Sequence, residues 1–127
     1  MKALIKKLDN IFSKYIRLRD ADENGICRCI TCGTPHHWKS CDNGHFIKRQ
    51  YMSTRFHECN CHAQCRECNW LQQGVDAKYE QAILNKYGET QLLKLKWMKG
   101  QVKKWSRFEL EQMIKEYTGK VNQLVKP

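Results

Sequence analysis

The chain has 127 residues, enough for one domain whose small core would gain from a metal staple. No apolar run reaches the ~18 residues of a membrane span, and the opening M-K-A-L-I-K-K-L-D-N carries charges where an export signal needs an apolar stretch, so a soluble, intracellular protein is expected. The formal charge of +10 points to a polyanionic partner, most simply nucleic acid.

Residues 3–19 predict an amphipathic helix, because Leu4, Ile5, Leu8, Ile11, Phe12, Tyr15 and Ile16 recur at three-to-four spacing. The other face carries Lys2, Lys6, Lys7, Lys14, Arg17 and Arg19 against Asp9. It reads first as the wet side of a packing helix and only second as a phosphate contact. Residues 20–25, D-A-D-E-N-G, form a polar loop; the remaining positions of a calcium-binding EF-hand are missing. Cys29 and Cys32 follow on a tight turn closed by Gly33, and residues 34–44 look irregular. From His45 to Phe56 apolar and polar residues partly alternate, predicting two short strands joined by a turn near residues 50–54. Cys65 and Cys68 open a short helix, R-E-C-N-W-L-Q-Q, stopped by Gly74.

Helical pattern continues from there. Tyr79, Ala82, Ile83 and Tyr87 share a stripe over residues 76–87, with Gly88 as a stop. Leu92, Leu93, Leu95 and Trp97 mark a second segment broken near Gly100. Ser106 and Glu109 make a capping box for a last helix lined by Leu110, Met113, Ile114, Tyr117, Val121 and Leu124. Residues 94–107 hold six basic side chains and no acidic one, with Trp97 and Trp105 interleaved, a pattern suited to phosphates and stacked bases; those indoles could equally be core. The expected fold class is α+β. Residues 1–25 form an N-terminal helix and linker, 26–75 a zinc-stapled core, and 76–127 a basic helical region, all within one compact domain.

Eight cysteines in a reducing compartment favour thiolate metal ligation over disulfides. Cys29, Cys32, Cys65 and Cys68 form two Cys-x-x-Cys pairs and read as a structural zinc site; four thiolates and one Zn²⁺ bring the charge of +10 to about +8. The gap between the pairs is longer than a bare zinc ribbon needs, so something is built inside it. Cys27, Cys41, Cys59 and Cys61 read as unligated thiols, with a second site involving His57 or His62 as the alternative. Within and just after the gap, Asp42, His45 and Asn69 supply a metal-binding carboxylate, a base that titrates near neutrality and an amide. Arg55 is a candidate clamp on a scissile phosphate, since its fork suits phosphate oxygens. Lys48, Arg49, Lys94, Lys96, Lys99, Lys103 and Lys104 complete the expected DNA-contacting set. His62 could hold the fold, approach a metal or contact DNA, whereas His36, His37 and His57 read as surface residues.

I-R-L-R-D at 16–20, C-I-T-C-G-T at 29–34, Trp38 ahead of C-D-N-G-H at 41–45, R-F at 55–56 and N-C-H-A-Q-C-R-E-C-N at 60–69 together resemble the phage NinG (Rap) recombination family. They also look like zinc-containing HNH (ββα-metal, His-Me finger) endonucleases, including phage endonuclease VII. The match runs over residues 8–88. The resemblance implies a ββα-metal core flanked by helices, with His45 as general base and Asp42 and Asn69 as ligands of a catalytic Mg²⁺ or Mn²⁺. Asn60 would orient His45 through the backbone. It further implies cleavage of branched DNA in the host cell cytoplasm, with phage or host recombination proteins as partners; symmetric cutting of a junction would require two active sites, so a homodimer is expected. A non-catalytic zinc-finger DNA-binding module and a recombination adaptor are the alternatives. Asp42 lies three residues from His45, where many such enzymes have an adjacent acid, and Asn69 stands in place of a final His.

Overall fold

The first helix follows from the spacing of its apolar residues. In a computed structural model describing residues 1–71 and 75–125, α1 (Lys2–Arg19) buries Leu8, Phe12 and Ile16 along one stripe. The chain continues as β1 (Ile26–Arg28), β2 (Pro35–His37), a 3-10 turn, β3 (Cys41–His45), α2 (Met52–Arg55), a second 3-10 turn and β4 (Cys61–Cys65). It ends in α3 (Arg66–Trp70), α4 (Val75–Tyr87), α5 (Glu89–Lys99) and α6 (Arg107–Leu124). Mixed helices and two small antiparallel sheets make this an α+β protein. No helix among the described residues is long and apolar enough to cross a membrane.

The last helix starts as its sequence dictates. The Ser106 hydroxyl accepts from the Glu109 N–H while the Glu109 carboxylate accepts from the Ser106 N–H, so two orphan donors of the first turn are satisfied. α6 then lays Leu110 and Tyr117 against α1. The Phe12 ring meets Tyr117 edge-on at 4.9 Å and Phe56 at 5.9 Å, so truncating Phe12 to alanine would cost about 3–5 kcal/mol. Glu58 ties the same helices together. Its carboxylate accepts from the hydroxyls of Tyr15 (2.9 Å) and Tyr117 (3.0 Å) and lies 3.4 Å from Lys120. Burial alone would raise its pKa, but those bonds hold it below the usual range. A second cluster joins Tyr79 and Ile83 of α4 to Leu92 and Leu95 of α5 and to Ile47, the two helices meeting at Gly88 with φ of 89°.

Two strand expectations need correction. Residues 34–44 are not irregular, and residues 45–56 do not form a strand pair. β2 pairs with β1, and β3 pairs with β4 in the register Cys41↔Cys65 to His45↔Cys61. Phe46, Ile47, Tyr51, Met52 and Phe56 are instead spread over a loop and the one-turn α2. The physical reason is that β3 reads C-D-N-G-H, whose turn-prone residues carry no alternation. It is a strand because β4, buried at all five residues, offers it a ladder. Gly44 is needed for this pairing: a Cβ there would stand 2.8 Å from the Cβ of Gln64. The helix predicted from Arg66 is present as α3, while its stop at Gly74 lies outside the described residues.

The outer edge of β4 is closed by the end of α1, which gives I-R-L-R-D a structural role. Arg19 Nη2 donates to the Cys61 carbonyl (2.8 Å), Asp20 accepts from the Ala63 N–H (2.8 Å), and the Ile30 N–H donates to the Ala63 carbonyl (3.0 Å). An exposed edge is thereby capped by side chains and one loop amide.

Candidate functional site

The β1–β2 turn carries the first cysteine pair. The Gly33 N–H closes on the Cys29 carbonyl at 2.8 Å with Gly33 at φ of 76°, and the Ile30 N–H bond to β4 brings this turn beside the second pair. Cys65 ends β4 and caps α3, its sulfur accepting from the Cys68 N–H. The four sulfurs of Cys29, Cys32, Cys65 and Cys68 lie within 4.8 Å of one another, and those of Cys32 and Cys65 are 3.8 Å apart. A tetrahedron with Zn–S bonds of about 2.3 Å has edges of ~3.8 Å, so the donor set fits zinc. Burial works against the Cys29 thiolate, but hydrogen bonds from Thr31 and nearby backbone amides win and bring its pKa down to about 6. Burial pushes the Cys65 thiol up to about 12. Four adjacent thiolates therefore need a cation. The expected start of a 45–56 strand pair is not what the tetrad joins; it ties the β1–β2 turn to the junction of β4 and α3.

Of the other cysteines, Cys27 and Cys41 pack with Ala63 in a small core cluster, and Cys61 is fully buried beneath α1. Burial raises all three thiols, Cys27 to about 12. Among the described residues the tetrad is the one group of three or more His, Cys, Asp or Glu close enough to share a metal.

β3 places Asp42, Asn43 and His45 on the wall of a cleft of about 770 Å³, and α3 adds Asn69. The Asn69 amide donates to Asp42 Oδ2 at 3.1 Å, while Arg66 lies 3.7 Å from the other carboxylate oxygen. Asp42, His45 and Asn69, singled out in the sequence, thus share one cleft. A carboxylate and an amide oxygen are the hard donors that Mg²⁺ or Mn²⁺ takes, and turning the Asn69 amide, whose NH₂ now faces Asp42, would set its oxygen beside the carboxylate to fit such a cation. Asn43 was missed: its Oδ1 is buried without a hydrogen-bond partner, and its place inside D-N-G-H reads as a turn residue rather than a strand residue.

His45 Nε2 lies 2.9 Å from the Arg55 carbonyl. A carbonyl only accepts, so Nε2 carries the proton and Nδ1 keeps its lone pair. Burial lowers the imidazole pKa to about 4, the Arg55 carbonyl opposes this and Arg49 reinforces it, so the ring is neutral at pH 7. The Asn60 side chain makes no hydrogen bond to His45. Fully buried, it accepts from the Ile47 N–H (2.8 Å) and donates to the carbonyls of Ile47 (3.0 Å) and Thr54 (3.1 Å), fastening the loop that ends in Arg55.

His62 lies inside the fold, bridging β4 to α4. Tyr79 donates its hydroxyl proton to the Gly44 carbonyl at 2.7 Å, so its oxygen accepts from His62 Nδ1–H at 3.1 Å, and His62 Nε2 accepts from Tyr87 at 2.7 Å. Burial lowers the His62 pKa to about 3.

The cations divide. Arg55 turns its fork onto Asp9 of α1, with Nε 3.0 Å from Oδ1 and Nη2 on Oδ2, and Arg49 reaches the same carboxylate at 3.4 Å. The side chain expected to grip a phosphate here grips a carboxylate. Asp9 gave no sequence signal, being a lone acid on a basic face. Lys48 pairs with Asp76, Lys96 with Glu80 and Lys103 with Glu109, while Lys99 lies over the Tyr51 ring at 4.9 Å. Lys94 and Lys104 are exposed. Lys96 and Lys99 line a hollow of about 450 Å³ apart from His45, and Lys48 borders both that hollow and the one beside His45. Trp97 is 64% exposed, whereas Trp105 is partly buried, donating its indole N–H to the Met52 carbonyl at 3.0 Å.

An α+β frame with a cysteine tetrad positioned to bind a metal ion, consistent with structural zinc, beside a separate polar cleft, defines a small protein with one cysteine metal site. The chain belongs to the NinG family, a group of phage recombination-related proteins: the family described as Bacteriophage Lambda NinG protein matches residues 1–126. That match takes in residues 89–126, beyond the 8–88 span of the sequence resemblance. No curated protein and no solved structure matches the chain.

Proposed function

We propose that this chain is a divalent-metal-dependent endonuclease of the ββα-metal (HNH) kind, acting on branched DNA recombination intermediates of the Holliday-junction or D-loop type. The observation that carries this reading is His45: a neutral imidazole with Nε2 committed to a backbone carbonyl, in a cleft shared with Asp42 and Asn69 between α1, β3 and α3. Its Nδ1 is the base that takes a proton from the attacking water. Asp42 and Asn69 would hold Mg²⁺ or Mn²⁺, which would neutralise charge on the scissile phosphate and the leaving oxygen. Asn60 acts at one remove, as a positioning residue, by fixing the loop that presents the Arg55 carbonyl. The cysteine zinc is structural and takes no part in the chemistry.

Lys48 and Arg49 flank the cleft, and Lys48 links it to the hollow bearing Lys96 and Lys99, a course along which a DNA backbone can run. Lys94, Lys103 and Lys104 extend the basic surface. Arg55 joins the phosphate contacts when a phosphate replaces Asp9 at its fork. In the host cytoplasm, two copies would cut a symmetric junction.

Incubation with a four-way junction and with linear duplex of the same sequence, each with Mg²⁺ or Mn²⁺, tests the reading. Faster cutting of the junction is expected. Junction binding with no cleavage under either cation would mark a DNA-binding zinc module instead. The exposed Leu93, Trp97 and Phe108 favour an adaptor should neither binding nor cleavage be seen.

A further inference from the structure

Half of the side chains lining the His45 cleft come from α1, the helix whose polar face read first as a wet surface. Lys2, Ile5, Lys6, Asp9, Asn10 and Ser13 stand opposite Asp42, His45 and Asn69. At 100° per residue these six fall on one stripe, adjoining the stripe of Leu8, Phe12 and Ile16 that holds the helix to the core. α1 is therefore a rigid second wall, with its cleft face fixed by its buried face. The one carboxylate of the helix, Asp9, is engaged by Arg55 and Arg49, and it lies a turn beyond Lys6. Lys2 and Lys6 are exposed and face the cleft, and neither forms an ion pair among the described residues, the neighbouring Asp9 being taken by the two arginines.

We infer that α1 binds the backbone of the DNA strand entering the His45 cleft, with Lys2 and Lys6 as its phosphate contacts and Asn10 as a polar neighbour. This deepens the proposed function and rests on it for the identity of the polyanion. One helix turn separates the two lysines by ~6 Å of rise, so both can reach successive phosphates of one strand, which follow each other every ~3.4 Å of duplex axis and further apart when extended. The strand then lies between the α1 lysines and the β3 wall, with His45 and Asp42 beside it. Lys7 and Lys14 sit on the same helix but outside the cleft lining, which makes them a charge-matched control.

The test is the salt dependence of equilibrium binding to a fluorescein-labelled four-way junction, without added Mg²⁺ or Mn²⁺, for the K2A/K6A and K7A/K14A double variants. Two lost phosphate contacts reduce the slope of log K against log salt by about 1.4 to 1.8 in K2A/K6A. K7A/K14A should keep the slope within about 0.4 of the parent protein, and K2R/K6R should restore it. Equal reductions in both alanine pairs would show a diffuse positive field and overturn the assignment, as would an unchanged slope in K2A/K6A. A cleavage assay on the parent protein separates the two ideas. A selective slope reduction in a protein that cuts no DNA keeps the α1 wall and removes the nuclease reading; normal cleavage with no selective reduction does the reverse.

Discussion

Replacing Asn60 with aspartate changes an amide NH₂ to an oxygen and almost nothing in volume, so it tests hydrogen bonding in the loop behind His45 with little change in packing. The wild-type side chain is fully buried and makes three bonds, one accepted from the Ile47 N–H and two donated to the carbonyls of Ile47 and Thr54. An aspartate keeps the accepted bond. Ionised, it turns an acceptor on two carbonyls; protonated, it restores one of the two donated bonds. One buried bond left unmade costs about 1–3 kcal/mol. At pH 7 the variant also loses roughly 1.4 kcal/mol for each unit by which its folded pKa rises above the unfolded value near 3.9, so a rise of ~1.5 to 2 units adds about 2–3 kcal/mol. The deficit at pH 7 is therefore about 3–6 kcal/mol, a drop of roughly 10 °C or more in Tm for a chain of this size. The sign of its pH dependence is fixed. The variant's folded carboxyl has a raised pKa, so protonation favours folding, and the deficit shrinks as pH falls from 7 towards 5. Urea denaturation of both proteins with zinc saturated, at pH 7 and pH 5, measures this. A deficit below ~0.5 kcal/mol at pH 7, or one independent of pH, would refute the reasoning.

Three further outcomes follow from other contacts. Cys65→Ala removes one of four sulfurs from the tetrad, so zinc content by atomic absorption and Tm should fall together, because a structural zinc supplies folding energy; full zinc content at an unchanged Tm would contradict the site. His62, neutral and buried among Tyr79 and Tyr87, has its pKa lowered from 6.5 to about 3. Its stabilising share is complete above the unfolded pKa and is lost as pH falls towards the folded one. Between pH 6.5 and 5 the wild type should thus lose about 1.5 kcal/mol that His62→Gln does not lose; equal pH slopes in the two proteins would remove His62 from this role. Gly44→Ala sets a Cβ 2.8 Å from that of Gln64, and the strands must part or Gln64 must move, at a cost of about 1–3 kcal/mol by chemical denaturation. A neutral substitution would mean that the β3–β4 register tolerates the methyl group.

Helices with a continuous apolar stripe were legible in the sequence. α1, α4 and α6 appear within a residue or so of their predicted bounds, because three or more turns repeat the pattern and Ser106 and Glu109 mark a start. The cysteine tetrad was legible for a different reason: two sulfurs two residues apart need only a local turn to reach one ion. β2 and β3 were not legible. A three-residue strand beginning with proline and a five-residue strand reading C-D-N-G-H have no period of their own, and partners distant in sequence make them strands. The loop apolar residues from Phe46 to Phe56 imitated the alternation that β3 lacks. Asp42, His45 and Asn69 were singled out by chemical type and order, and the fold brings them to one cleft. Asp9 and the α1 side of the cleft were not, since only tertiary packing carries the far face of a helix to β3.

The claim on which the account depends is that His45 Nδ1 is the base of a metal-dependent cleavage. It is tested by single-turnover cleavage of a four-way junction at saturating protein with Mn²⁺ or Mg²⁺, comparing the parent protein with His45→Ala, with junction binding and zinc content measured on both. Losing a positioned general base should slow cleavage by about 10²- to 10⁴-fold, while binding and zinc content stay at parent values. Cleavage by His45→Ala at the parent rate would contradict the account.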